Sequence, residues 1–102
     1  MQTKIERRLF LGFICIHILY HAKKQPIYGS WMIEELRHHG YSMSAGTLYP
    51  ILHSMEREGL LALEELNVEG KIRKYYSITP PGATVLAEAR AKAYELFREI
   101  KE

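Results

Sequence analysis

The sequence predicts a mainly helical fold with one small two-stranded β-hairpin, and three observations support this prediction. Two helical segments are separated only by the residues Tyr41–Met43. The turn sequence Asn67–Gly70 lies between two short stretches that are typical of strands. After Thr79, apolar residues recur every three or four positions, as they do in an amphipathic helix. The expected order is three helices, a hairpin and a C-terminal helix.

The length and composition are those of one soluble globular domain. The chain has 102 residues, of which 47% are hydrophobic and 25% are charged. The net charge is only +2, so an argument for nucleic-acid binding depends on where the charges lie. The single cysteine, Cys15, favours a reducing compartment, and we expect a cytoplasmic protein. The apolar run Leu9–Tyr20 is too short for a membrane anchor and is followed by lysines, which disfavours a signal peptide.

The first helix is expected from Thr3 or Lys4 to Lys23, before the sequence Gln25-Pro26. Its middle is apolar on every side, and a chain this small can hardly cover such a helix by itself. We therefore expect this helix to be buried against a second copy of the chain, in preference to passing through its own core.

The second helix is expected to open at Tyr28-Gly29-Ser30 and to end at Gly40. Ser30 is a candidate cap, and Glu34 and Glu35 are expected in the early turns, where acidic groups favour the positive end of the helix dipole. The short link to the next helix gives helix-turn-helix spacing.

The third helix is expected from Ser44 to Glu58. Its apolar residues share one side and are expected to face the core: Leu48, Leu52 and Met55. The opposite side is small, polar and cationic: Gly46, Pro50, His53 and Arg57. Because Pro50 has no amide hydrogen, we expect an irregular opening turn.

The hairpin is expected to begin after Gly59-Leu60, with its returning strand from Lys71 to Ile78. Strand alternation predicts an inward set, Ile72, Tyr76 and Ile78, and an outward set, Lys71, Arg73 and Tyr75. Lys74 breaks this alternation and is expected to reach the edge with its long side chain. The hairpin thus carries a local basic patch.

The C-terminal helix is expected to have Thr79 as its cap and Pro80 at its first position. Its apolar stripe contains Leu86, Ala89, Ala93, Leu96 and Ile100, widened by Tyr94 and Phe97. Such a stripe suits close packing with another helix, and the first helix of a partner subunit is the expected counterpart. We divide the chain into residues 1–79, the first helix and the winged helix-turn-helix, and residues 80–102, the dimerisation helix.

Five motifs, in this order and with these spacings, resemble the PadR family of winged-helix transcriptional regulators. They are Tyr28-Gly29, Ser44–Pro50, Leu52–Leu60, Arg73–Tyr76 and Ile78–Gly82. Together they span about residues 28–82. The resemblance implies a homodimeric DNA-binding protein, usually a repressor on a palindromic operator, of the short-tailed branch that has one C-terminal helix. The sequence departs from the family pattern at Ala45, at Ile72, where a basic residue is common, and at Pro80-Pro81.

The residues expected to contact DNA lie on the third helix and the hairpin. They are Ser44, Gly46, Thr47, Tyr49, His53, Arg57, Lys71, Arg73, Lys74 and Tyr75. The helix residues are expected to reach base edges and backbone in the major groove, and the hairpin cations to hold phosphates. Tyr49 has the alternative role of closing the core beside the hairpin, and His53 and Arg57 that of solvated surface.

The residues expected at a dimer interface lie on the first and last helices. They are Leu9, Phe10, Phe13, Ile14, His17, Leu86, Ala89, Ala93, Leu96, Phe97 and Ile100. Aromatic residues near this seam can also line a pocket for a small aromatic or hydrophobic effector, or simply fill a core: Phe10, Phe13, Tyr20, Tyr94 and Phe97.

Other functions have weaker support from the sequence. His17 and His21 have a spacing that can chelate a metal from one helical face, with Cys15 nearby, but histidines hydrogen-bonded at an interface explain them as well. We expect no metal and no cofactor. No phosphate loop, nucleophile elbow or zinc-protease helix is present, so we expect no enzyme. A winged-helix module that binds a protein partner stays an alternative.

Overall fold

The computed structural model describes residues 2–102. The elements are α1 (Lys4–Lys24), α2 (Gly29–His38), α3 (Ala45–Arg57), β1 (Leu61–Val68), β2 (Lys71–Ile78) and α4 (Pro80–Ile100). This order confirms the predicted fold class, mainly helical with a small β wing and a C-terminal helix.

Side-chain caps fix the starts of the two long helices. At α1 the Glu6 amide donates to Thr3 Oγ1 over 3.1 Å, and the Thr3 amide donates to Glu6 Oε1 over 3.0 Å, so both residues satisfy free amides. At α4 the Gly82 amide donates to Thr79 Oγ1 over 3.0 Å, and Pro80 is the first helical residue. The predicted cap and first residue of α4 are therefore confirmed.

The start of α2 differs from the expectation. Its N-cap is Tyr28, which makes no side-chain capping bond, and Ser30 lies inside the helix. Glu34 and Glu35 lie beyond the first turn, which contains no acidic residue. The sequence misplaced the start because serine is a common cap, whereas here the extended Tyr28 already leads into a helical Gly29.

The third helix is α-helical throughout despite Pro50. The expected irregularity is small: the Ser44 carbonyl accepts hydrogen bonds from two amides, Thr47 at 3.1 Å and Leu48 at 3.0 Å. Leu48 and Leu52 are fully buried and Met55 is 6% exposed, so the predicted inner side is confirmed. Their burial holds the helix against the core although one amide donor is missing.

The two strands form one antiparallel hairpin whose register runs from Leu61 opposite Ile78 to Val68 opposite Lys71. Glu69 and Gly70 both have positive φ, 53° and 86°, as a tight two-residue hairpin turn requires. The base of the hairpin is fixed to the loop before α2, since the Ile27 amide donates to the Tyr76 carbonyl over 2.9 Å and the Tyr76 amide returns a bond of 2.7 Å.

The prediction that Ile72 faces inward is wrong, because this side chain is 64% exposed, whereas Tyr76 on the same side is fully buried. The reason is the length of the hairpin: its base reaches the core, but its tip extends past it. Alternation predicts which side of a strand a residue occupies, and not whether anything covers that side.

The core lies between the C-terminal half of α1 and the helix-turn-helix. Its fully buried side chains include Ile18, Met32, Leu36, Leu48, Leu52, Leu61 and Tyr76. The expectation that α1 is buried by a second copy in preference to its own core is thus wrong for this half of the helix. Ile14 and Leu86, both predicted at a dimer interface, also belong to this core and are 5% and 8% exposed. The three helices of the winged unit meet here, which gives α1 more cover than its sequence suggests.

Candidate nucleic-acid interface

The outer side of α3 is open to solvent. Gly46, Thr47, His53 and Arg57 are all exposed. A Cβ atom built on Gly46 would meet only Ser44 Oγ, at 3.9 Å, so nothing in the chain covers this point of the helix. Ser44 Oγ lies 3.2 Å from Thr47 Oγ1, and this hydrogen bond restrains the two hydroxyl groups relative to each other. A polar, uncovered helix face of this kind suits insertion into a groove.

Tyr49 combines the two roles that the sequence left open. A Cβ atom on Gly29 would lie 2.5 Å from Tyr49 Cε1, which means that the ring packs directly over the start of α2. The side chain is nevertheless 38% exposed. Glycine at position 29 therefore permits the close approach of α2 and α3, and Tyr49 keeps part of its surface at the outer face.

The cations of the hairpin lie beside the start of α2. The Arg73 guanidinium lies 4.3 Å from the centroid of the Tyr28 ring, a cation–π contact, and the Tyr28 and Tyr75 rings meet edge to face with centroids 5.5 Å apart. Lys71 and Lys74 are exposed. Tyr28 thus holds Arg73 in place, a role that the sequence did not reveal. The only signal was the Tyr28-Gly29 motif, which sequence reasoning assigned to helix opening.

A groove with a volume of about 750 Å³ separates α3 from the hairpin. Its lining includes five predicted DNA contacts: Tyr49, His53, Lys71, Arg73 and Lys74. Ser30, at the N-terminal end of α2, also lines it. Cationic side chains together with the positive end of a helix dipole favour an anion. The remaining predicted contacts lie apart from the groove: Ser44, Gly46, Thr47 and Arg57 on α3, and Tyr75 half-buried against Tyr28.

The predicted dimer residues divide into a covered and an open set. Ile14 and Leu86 are in the core, and His17 and Ala89 are half-buried. The open set comprises Leu9, Phe10, Phe13, Ala93, Leu96, Phe97 and Ile100. Leu9 and Phe97 are 53% and 62% exposed, which leaves large apolar side chains uncovered at the N-terminal half of α1 and the C-terminal half of α4.

The aromatic residues considered for an effector pocket do not gather in one cavity. Tyr20 lines a cavity of about 790 Å³ between α1 and α4, together with Leu86 and Ala89. Phe10 lines a different one, between α1 and the loop before α3. The effector pocket therefore stays a prediction. Cys15 faces a third cavity, beside Ile51 of α3, and burial raises the pKa of its thiol above the usual value. It is not part of the histidine group that the sequence suggested.

Three helices followed by an antiparallel wing, with an open polar face on the third helix, define a winged-helix transcriptional regulator. The Transcriptional regulator PadR-like family matches residues 18–88, and the chain belongs to this family. The predicted resemblance is thus confirmed. The family is one of transcriptional regulators, not of enzymes. Within residues 2–102 there is no helix long and apolar enough to cross a membrane.

Individual relatives agree with this assignment. The transcriptional regulator Rv3488 of Mycobacterium tuberculosis is 46% identical over 85 residues, which cover 83% of this chain and 79% of that protein. A PadR family transcriptional regulator from Eggerthella lenta superposes with a TM-score of 0.81 at 35% identity, over 92% of this chain and 83% of that one. A PadR-like transcription factor from Bacteroides fragilis has a TM-score of 0.84 at 29% identity and covers 97% of both chains.

Proposed function

We propose that this PadR family regulator is a homodimer that binds a palindromic DNA operator and represses transcription by occupying it. The observation that carries the proposal is the groove of about 750 Å³ between α3 and the wing, which is lined by Lys71, Arg73 and Lys74. A phosphate backbone is the polyanion that such a groove fits, because each lysine or arginine that neutralises a phosphate adds to binding by counterion release.

In this proposal α3 enters the major groove while the wing follows the backbone. Thr47, His53 and Arg57 reach base edges or phosphates from the exposed side of the helix. Gly46, which has open space around it, allows the DNA to approach the helix closely. The wing cations supply affinity with little sequence choice, whereas the α3 side chains supply specificity.

The dimer in this proposal forms through α1 and α4. Residues 90–102 are all exposed, although this stretch of α4 carries Tyr94, Phe97 and Ile100. Tyr94 is 71% exposed and Ile100 is 64% exposed, and apolar patches of this kind mark interaction surfaces. A two-fold dimer places the same patch on both subunits, and it matches the symmetry of a palindromic operator.

The test is a fluorescence-anisotropy titration with DNA from upstream of the chain's own gene, at two stated salt concentrations. The wild type is expected to bind this DNA more tightly than unrelated DNA of equal length. Thr47→Val, which removes a hydroxyl group but keeps the shape, is expected to lower the affinity for the upstream DNA by about tenfold and to leave binding of unrelated DNA unchanged.

Thr84→Val is the matched control, because Thr84 Oγ1 donates only to the Pro80 carbonyl within α4, over 3.2 Å. It is expected to bind as the wild type does. Equal affinity of the wild type for both DNAs, with no effect of Thr47→Val, would contradict DNA recognition by α3 and favour a winged-helix module that binds a protein partner.

A further inference from the structure

Three histidines from two helices meet on the side of the molecule away from the wing. His17 and His21 lie one turn apart on α1, and His39 follows α2 as its C-cap. The ring centroids of His17 and His39 are 4.5 Å apart, and those of His21 and His39 are 6.1 Å apart. One ligand atom from each of the three residues can be chosen so that all lie within 4.8 Å of one another. The group, here called the histidine triad, thus joins α1 to the end of α2.

The triad contains a buried donor or acceptor without a partner. The His21 side chain is 12% exposed, and its Nε2 atom is buried and makes no hydrogen bond. The nearest carboxylate oxygen, Glu35 Oε2, is 3.5 Å away and lies 3.1 Å from His39 Nε2. A buried nitrogen without a partner costs free energy, and such an atom in a native structure calls for an explanation.

The protonation of the triad suits ligation. Burial lowers the pKa of His17, and the neighbouring His39 and His21 lower it further, while Glu35 opposes them. Burial also lowers the pKa of His21, again opposed by Glu35. Both imidazoles are therefore neutral at neutral pH, and only the neutral ring offers a nitrogen lone pair to a ligand.

We propose that His17, His21 and His39, with Glu35 as fourth ligand, form a binding site for a divalent transition-metal ion of the zinc class. Three imidazole nitrogens and one carboxylate oxygen are a ligand set that Zn²⁺, Co²⁺ and Ni²⁺ accept, and it disfavours the oxygen-seeking Mg²⁺ and Ca²⁺. Tetrahedral ligation with metal–nitrogen bonds of about 2.1 Å brings the nitrogens to about 3.4 Å from one another. Rotation of the half-exposed His39 ring provides the small approach that this needs.

The position of the triad gives the ion a structural consequence. His17, His21, His39 and Glu35 all line the cavity of about 790 Å³ that α4 closes with Leu86 and Ala89. A bound ion therefore links α1 to the end of α2 beside the C-terminal helix. Since it ties together two elements that are separate in the unfolded chain, it is expected to stabilise the folded state in proportion to its concentration over its dissociation constant.

The test uses the full chain with any affinity tag removed, stripped of metal with a chelator and dialysed. Co²⁺ is titrated while visible absorption is recorded, and Zn²⁺ is then added as a competitor. We expect saturation at one ion per chain, intense absorption bands of tetrahedral Co²⁺, and displacement by Zn²⁺. Zn²⁺ is also expected to raise the Tm. His39→Ala and His17→Ala are each expected to lower the affinity by at least tenfold and to abolish the rise in Tm.

His38→Ala is the matched control, since His38 is the exposed neighbour of His39 and lies outside the triad. It is expected to bind Co²⁺ as the wild type does. Circular dichroism separates loss of the site from loss of the fold. Absence of saturable binding by the folded wild type, or equal loss in His38→Ala and His39→Ala, would overturn the proposal. None of these readings involves DNA, so failure here is distinguishable from failure of the proposed function.

Discussion

Single side chains organise the candidate interface through contacts that cross between elements. Tyr28 holds Arg73, and Gly29 admits the ring of Tyr49. The predicted outward side of Arg73 could be derived from strand alternation alone. Its partner could not, because Tyr28 is far away along the chain and only the folded hairpin brings the two together. The same applies to His39, which completes the histidine triad from a different helix.

Arg73→Ala is predicted to weaken binding to every DNA sequence alike. The side chain is exposed and placed for a phosphate, so its loss removes one counterion-release contact. The slope of log affinity against log salt is expected to flatten by about one unit. Salt-dependent anisotropy titrations measure this, with Lys101→Ala, at the end of α4, as the control cation. An unchanged slope would exclude Arg73 as a phosphate contact.

Gly46→Ala is predicted to stabilise the fold and to weaken DNA binding. Its new Cβ atom meets only Ser44 Oγ, at 3.9 Å, and alanine is favoured over glycine in a helix by about 0.5–1 kcal/mol. The same methyl group stands where we propose that DNA approaches the helix. Denaturant unfolding and anisotropy titrations give the two numbers. Tighter or unchanged DNA binding would show that α3 does not meet DNA at this point.

The elements follow from the sequence to different degrees. Thr79 and Pro80 predict the start of α4, because capping and a missing amide are local properties of the chain. The hairpin turn follows for the same reason, and the Gly70 amide donates to Asn67 Oδ1 over 2.9 Å. The covering of α1 and the exposure of Ile72 depend on which other elements come near, so local periodicity could not predict them.

The attachment of α4 to the winged unit depends on one glycine. A Cβ atom on Gly82 would lie 2.1 Å from the Leu60 carbonyl oxygen, a backbone atom that cannot move aside easily. Thr79 Oγ1 also donates to the Gly59 carbonyl over 2.5 Å at the same place. The first turn of α4 is therefore packed directly on the link between α3 and β1.

Gly82→Ala is predicted to destabilise the fold by about 1–3 kcal/mol, the usual cost of overpacking, in spite of the better helix propensity of alanine. Thermal and denaturant unfolding measure the change. Gly46→Ala serves as the matched control, a helical glycine without a clash. If both variants were stabilised alike, the close packing of α4 on Leu60 would be refuted.

At the scale of the whole molecule, the uncovered apolar surface on α1 and α4 predicts the dimer. Phe97 is 62% exposed and makes no part of the chain's own core. Phe97→Glu is predicted to convert the dimer to a folded monomer, because a carboxylate would be buried without a partner in the interface. Sedimentation equilibrium measures the mass and circular dichroism the fold, with Lys101→Glu as control. A wild-type chain that is already monomeric would contradict the assignment of this surface.

The central claim is that two copies of this regulator present their α3 helices to one palindromic DNA site. Selection of bound oligonucleotides from a random pool tests it most directly. The account predicts enrichment of an inverted repeat whose half-sites are about one helical turn, roughly 10 base pairs, apart, or a multiple of it. Enrichment of a single asymmetric site, or none after repeated rounds at low salt, would contradict it.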